Sequence, residues 1–329
     1  MPIAFAAVRD PVELLFVGSY TSETGGRGAG ISTVELDPVS RDMQVRHELA
    51  LASPSYLALH PALPVLYAVN ETDHGHATAL AIASDGALRT IGEADTGGAG
   101  PCHVTLTPDA RHLLCSNYSS GSLAVFRLDD SGAIVERTHL VVHDGRGPDP
   151  DRQEGPHIHM AVAEQNGATV QVVDLGTDEI RAYRLQDDGR LSLLLTAALP
   201  PGSGPRQMLR LPTTSGTAVR YVVACELSSG IALLEADPDQ GLRLLMTRPA
   251  TAGYVPDGVR NYPSHLALSP DGRTIFLSNR GVDCISAFVV SGESSPIAFF
   301  SGANSASRVV STTSHRSAAG SASKMKRSN

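Results

Sequence analysis

Through most of the chain apolar and polar residues alternate with a period of two, and short clusters of Gly, Asp, Ser and Asn interrupt the alternation; half-buried strands joined by hairpin turns read this way. Cys102-His-Val-Thr-Leu-Thr alternates, Pro108-Asp-Ala-Arg turns, and His112-Leu-Leu-Cys-Ser-Asn returns as an apolar strand. After the turn Ser119-Ser-Gly, Ser122-Leu-Ala-Val-Phe-Arg-Leu alternates again, Asp129-Asp-Ser-Gly turns, and Ala133-Ile-Val-Glu begins a fourth strand. The same grammar fits Ser55-Tyr-Leu-Ala-Leu with Val65-Leu-Tyr-Ala-Val, and Ser264-His-Leu-Ala-Leu with Thr274-Ile-Phe-Leu-Ser. No segment has the period of a long amphipathic helix.

The four-strand unit repeats. Pro54, Pro101, Pro156, Pro205 and Pro263 each open one, 47 to 58 residues apart, within reach of the length of a four-stranded propeller blade. The predicted fold is all-β, a propeller of four-stranded antiparallel blades over 14–290, after an N-terminal extension of 1–13. The first unit starts late: Leu14-Leu-Phe-Val-Gly-Ser-Tyr matches a second strand, Gly30-Ile-Ser-Thr-Val-Glu-Leu a third and Gln44-Val-Arg-His-Glu-Leu a fourth. Its first strand must come from elsewhere, as when a C-terminus closes a ring and removes the edge. Residues 291–329 are about one third serine and have no Gly-Pro-X opening, so a polar tail or a C-terminus replaced by a shifted reading frame is expected. In that stretch only Ile297-Ala-Phe-Phe and Arg308-Val-Val-Ser resemble strands. The ring is thus expected to stop at about six units.

Antiparallel pairing puts the start of strand one and the end of strand two at the same end of a unit, and inner strands line the channel. The residue after each opening proline is Ser55, Cys102, His157, Arg206 or Ser264; the residue past each second strand is Tyr20, Glu71, Tyr118, Leu175, Glu226 or Arg280. His157, Arg206, Glu226 and Arg280 therefore converge as a base, an acid and two guanidinium groups, with His159 nearby. They are the expected catalytic residues; Arg206, Arg280, His159, Glu71 and Tyr20 are expected to contact substrate. A lone strand histidine is more often structural, and an Arg beside a Glu is often only an ion pair, but equivalent positions in successive repeats favour a shared site.

Composition narrows the chemistry. Against 26 Lys+Arg stand 34 Asp+Glu, a formal net charge of −8, which argues against a nucleic-acid binder with a basic face and leaves room for a small anion held by a few arginines. Four cysteines (Cys102, Cys115, Cys225, Cys284) without a Cys-x-x-Cys pair imply reduced thiols in the cytoplasm rather than a disulfide framework. The apolar run Ile3 to Val8 is too short for a signal or a span, so no membrane partner is expected. His157 and His159 share a strand face but lack a visible third ligand, and no metal is expected. Gly25-Gly-Arg-Gly-Ala-Gly reads as a hairpin turn, not a dinucleotide loop. Cys225 reads as a buried thiol.

Phe16-Val-Gly-Ser-Tyr-Thr, Pro54-Ser-Tyr-Leu-Ala-Leu-His-Pro, Arg152-Gln-Glu-Gly-Pro-His, Gly202-Ser-Gly-Pro-Arg, Cys225-Glu-Leu-Ser-Ser and Ser278-Asn-Arg-Gly, in that order, resemble the seven-bladed propeller lactonases, which include cycloisomerase-type 6-phosphogluconolactonases and carboxy-cis,cis-muconate cyclases. The resemblance implies hydrolysis of 6-phospho-D-glucono-1,5-lactone without a cofactor, by a cytoplasmic monomer whose partner is a small anionic sugar lactone. A muconate-cyclase-like lactonising enzyme and a non-catalytic propeller scaffold are the alternatives. It also implies that the family's His, Arg, Glu and Arg fall on His157, Arg206, Glu226 and Arg280. Gln207 stands where the family often has histidine, and a seventh blade and closing strand are not legible.

Overall fold

The structure, a computed structural model, describes residues 13–213, 218–237, 241–251, 255–290 and 297–299. They form six antiparallel sheets with strands in sequence order, the propeller arrangement expected from the alternation. The first sheet comprises Glu13–Gly18, Ile31–Leu36 and Met43–Leu49; the second opens with Leu57–Leu59 and Val65–Asn70. The third opens with Pro101–Leu106 and His112–Asn117, the fourth with Ile158–Ala163 and Thr169–Asp174. Pro205–Arg210 and Arg220–Cys225 open the fifth, Tyr262–Leu268 and Thr274–Arg280 the sixth. Helix among the described residues is one short turn, Ser22–Thr24.

From the second sheet onward the first strand of each sheet packs against the first strand of the next. They are the inner wall of the blades. Burial follows from this stacking: Val65–Asn70 and His112–Asn117, each with neighbours on both faces, are buried at every position, whereas Leu88–Asp95, a fourth strand, is mostly half-buried or exposed. The core lies between adjacent sheets. Tyr67, Val69, Leu113 and Phe126 join the second to the third; Leu114, Leu123, Val172 and Tyr183 join the third to the fourth. Burying one such large side chain contributes roughly 1.5–3 kcal/mol, and the Tyr67 hydroxyl is accommodated because it donates to Gly132 O at 2.7 Å.

The two ends of the array differ from its middle. Among the described residues the first sheet has three strands, in the second, third and fourth positions. The sixth sheet has its fourth strand in Ile297–Phe299, which pairs with Cys284–Val290 and lies past residue 290. Leu15, Val17, Phe276 and Ile285 are exposed apolar residues on these two end sheets. Arg308-Val-Val-Ser and the rest of 300–329, like 1–12 and 291–296, lie outside the described residues.

Candidate active site

The side chains at the mouth are positioned by one repeated backbone device. In the third and fifth sheets the first strand begins at a proline that pairs with the last residue of the second strand, Pro101 with Asn117 and Pro205 with Cys225, followed by a register irregularity. Such a bulge re-aims the side chain at the sheet's end. The following residues, Cys102 and Arg206, face the channel, while Tyr118 and Glu226 turn off the second strand beside them.

The fourth sheet departs from this register. There it is Ile158 that pairs with Asp174, and the N–H of Leu175 reaches His157 O where those of Tyr118 and Glu226 reach Gly100 O and Gly204 O. The Gly-Pro opening has slipped by two residues relative to the ladder. His159, not His157, therefore occupies the position of Cys102 and Arg206; a slip of two keeps the face but moves the residue along the strand.

Tyr20, Glu71, Cys102, Tyr118, Arg152, His159, Arg206, Glu226 and Arg280 line one cavity of about 900 Å³, together with Ser55, Tyr56, His103, Gln207 and His265. His157 is not among the lining residues. Its Nδ1 faces Tyr118 O at 3.0 Å, its Nε2 faces Glu154 Oε1 at 3.2 Å, and its ring stacks on Tyr118 with centroids 4.4 Å apart. It supports Tyr118 from behind. No group of three or more His, Cys, Asp or Glu that could hold a metal ion occurs among the described residues.

Glu226 is the hub of the charged half. Arg152 Nη2 donates to its Oε1 at 2.7 Å, while Arg206 Nη1 and Arg280 Nη2 both donate to Oε2 at 2.6 Å. Burial pushes this carboxyl up, but the guanidinium groups win and hold it at about 2. At neutral pH it has no proton to return to a leaving group. Its role is to align and partly neutralise three cations, which leaves the cluster with a net positive charge of two. Arg152 also donates to Tyr118 Oη at 3.2 Å.

His159 meets the same field from the other side. Burial pushes its imidazole well below its ordinary value, Arg206 adds to that, and Glu226 and a hydrogen bond to its own backbone carbonyl oppose it. Nδ1 lies 3.6 Å from Cys102 Sγ. In the neutral tautomer that carries its proton on Nδ1, Nε2 is the free acceptor. Cys102 is a thiol, since burial pushes it well above its ordinary value, and Cys225 is likewise held at about 12. Nearby, Tyr20 Oη donates to Glu71 Oε2 at 2.8 Å.

One step along the inner strands the wall is neutral. Gln207 Oε1 accepts the N–H of Leu266, so its amide Nε2 must donate to His265 Nδ1, 2.8 Å away. That assigns the proton of His265 to Nε2. Burial pushes His103 down to about 3 and lowers His265, each without a carboxylate to oppose it. Tyr56 packs on His103 with centroids 4.4 Å apart, and Ser55 Oγ and His103 Nδ1 are buried without partners. Sequence reasoning missed this layer, although Tyr56, His103, Gln207 and His265 all stand two residues after an opening proline. It also missed Arg152 as a site residue. The signal there was the long connection 143–157, since long ordered loops often carry function.

Comparison with known proteins bears on the chemistry. A family model for lactonases with a seven-bladed β-propeller matches residues 14–308. The 6-phosphogluconolactonase of Bacillus subtilis is 31% identical over 288 residues, covering 86% of this chain and 79% of the relative. That of Formosa agariphila is 29% identical over 276 residues, covering 81% and 75%. The solved structure of a periplasmic gluconolactonase from Pseudomonas aeruginosa superposes with a TM-score of 0.77 at 27% identity, over 88% of this chain and 82% of that one.

Proposed function

The chain belongs to the seven-bladed β-propeller lactonases, and on that premise we propose that it hydrolyses 6-phospho-D-glucono-1,5-lactone to 6-phospho-D-gluconate, a step of the pentose phosphate pathway, in the cytoplasm. One observation carries the reading: three arginines are gathered on one ionised carboxylate, and one step along the inner strands the same cavity is lined by the uncharged Tyr56, His103, Gln207 and His265. A single anionic group belongs on the arginines and hydroxyl groups belong on the neutral wall.

His159 Nε2 takes a proton from water as the water oxygen bonds to the lactone carbonyl carbon. Such general base catalysis is worth roughly 10² to 10⁴ in rate. Arg206 holds the position equivalent to His159 on the neighbouring first strand, so it is the donor beside the base and stabilises the oxyanion, a role worth roughly 10² to 10³. Arg152 and Arg280, the more exposed two of the three, hold the phosphate by charge-assisted hydrogen bonds. When the tetrahedral intermediate collapses, the bond from the carbonyl carbon to the ring oxygen breaks and the proton on His159 passes to that oxygen. An activated ester needs no further acid.

The same neutral wall argues against the muconate-cyclase alternative, whose substrate carries several carboxylates and would leave some of them facing Tyr56, His103 and Gln207. The test is a coupled assay with 6-phosphogluconolactone, unphosphorylated gluconolactone and carboxymuconate. Hydrolysis should favour the phosphorylated lactone in kcat/KM by at least tenfold. Equal rates on both lactones, or turnover of carboxymuconate alone, would overturn the assignment.

A further inference from the structure

Behind the cavity wall lies a second ionic group that the mechanism above does not use. His143 Nδ1 and Asp174 Oδ2 are 2.7 Å apart with both side chains 0% exposed, and Tyr183 Oη lies 3.0 Å from His143 Nε2. The carboxylate accepts from Nδ1–H, and Nε2 shares the remaining hydrogen bond of the ring with the tyrosine hydroxyl. Asp174 uses its other oxygen on the backbone, accepting the N–H of His157 at 2.8 Å, Gly176 at 2.9 Å and Thr177 at 3.2 Å. Burial pushes Asp174 up, but His143 and these N–H groups outweigh it and hold the carboxyl below its ordinary value.

The position is unusual within the repeat. The equivalent ladder position on the second strand is Asn70, Asn117, Cys225 or Asn279 in the second, third, fifth and sixth sheets, and each of those asparagines makes only neutral hydrogen bonds at its side chain. Only the fourth sheet places a carboxylate there. It is also the sheet that receives the 143–157 connection, the strap that carries Arg152. The strap is tied to the Asp174 turn at further points: Gln153, fully buried, donates from Nε2 to Leu175 O at 2.9 Å. A Cβ on Gly176 would lie 2.0 Å from Gly155 O, so strap and turn are in direct backbone contact. The strap also reaches the connection ahead of the sixth sheet, where Asp149 Oδ2 is 3.7 Å from Arg260 Nη2.

We propose that the buried Tyr183–His143–Asp174 chain positions the anion-binding arginine of the strap: Asp174 holds the backbone at His157 and the adjacent turn, and this holds Arg152 on Glu226 and Tyr118. The inference rests on Arg152 being an anion ligand, as argued above. Asp174, His143 and Tyr183 touch no substrate and act through Arg152.

The test uses the full chain and inorganic phosphate as the probe, with binding measured by calorimetry for the wild type, Asp174→Asn, His143→Leu, Arg152→Gln and the two double variants with Arg152→Gln. Each single variant should weaken phosphate about tenfold, and each double variant should bind no more weakly than Arg152→Gln alone. His143→Leu serves where Asp174→Asn does not fold, and melting temperatures identify the folded variants. A merely structural role would add its effect to that of Arg152→Gln. Either additive losses, or folded single variants that bind phosphate within twofold of wild type, would overturn the positioning role while Arg152→Gln still binds weakly. If Arg152→Gln itself binds phosphate as wild type does, the anion-ligand reading fails, and the positioning role falls with it.

Discussion

Arg152 and Glu226, 74 residues apart in sequence, meet at 2.7 Å in a cluster where Glu226 also holds Arg206 and Arg280. The Glu226 side chain is 2% exposed and that of Arg152 33%, so the acid is buried and a face of the base remains in the cavity. This is the geometry of a fixed counter-ion under a ligand-binding cation.

Arg152→Gln should therefore act on binding more than on chemistry. Loss of one charge-assisted hydrogen bond, worth about 1.5–3 kcal/mol, should raise KM for the phosphorylated lactone by about ten- to a hundredfold and change kcat by less than threefold. Arg206→Gln should do the reverse and lower kcat. Steady-state kinetics on the two variants decides whether these roles are as assigned.

His159→Asn should lower kcat by roughly 10² to 10⁴, the worth of a general base, with KM nearly unchanged. His157→Asn, which keeps a polar group near Tyr118 O, should cost no more than about tenfold. An equal or larger loss at His157 would return the base role to it.

The pH profile follows from the direction of the His159 shift. The base must be neutral to act, and its value lies well below the ordinary one of about 6.5. Activity should thus stay flat as pH falls through that ordinary value and decline only in more acidic solution. An acid limb centred at the unshifted value would point to a more solvated base. Anion binding on the arginines removes part of the positive field on His159, so kcat should decline at higher pH than kcat/KM does.

Glu226→Gln should destabilise the protein most at neutral pH. The folded carboxyl sits at about 2 against an ordinary 4.5; the difference corresponds to ~3 kcal/mol. A depressed folded value means that this stability is present above the ordinary value and is lost as pH falls from there toward about 2. The gap between wild type and Glu226→Gln in urea unfolding should accordingly shrink on acidification. A gap independent of pH would contradict the charge assignment.

Gln207→Leu should spare the arginines and damage recognition of hydroxyl groups, because it frees the tautomer of His265 and removes an amide from the neutral wall. Inhibition by inorganic phosphate should remain within twofold of wild type, while KM for the sugar lactone should rise about tenfold. Parallel losses in both would mean that Gln207 serves the charged half.

The sequence by itself determined the strands, the repeat and much of the charged site. Period-two alternation and recurring prolines specify antiparallel units, because side chains on a strand must alternate between faces whatever the neighbours are. Arg206, Glu226 and Arg280 were legible because each holds a repeat position that the ladder preserves. Tertiary structure decided the rest. By spacing alone His157 and His159 would share one strand face, so no periodicity distinguishes them; only the pairing of Ile158 with Asp174 places His159 in the cavity and His157 behind Tyr118. Arg152 belongs to a connection with no repeat equivalent, and its partners Tyr118 and Glu226 come from other sheets. The depressed values of His159 and Glu226 also depend on burial and on charges brought from separate blades. Electrostatic fields depend on distances through space, and those distances exist only once the blades have stacked.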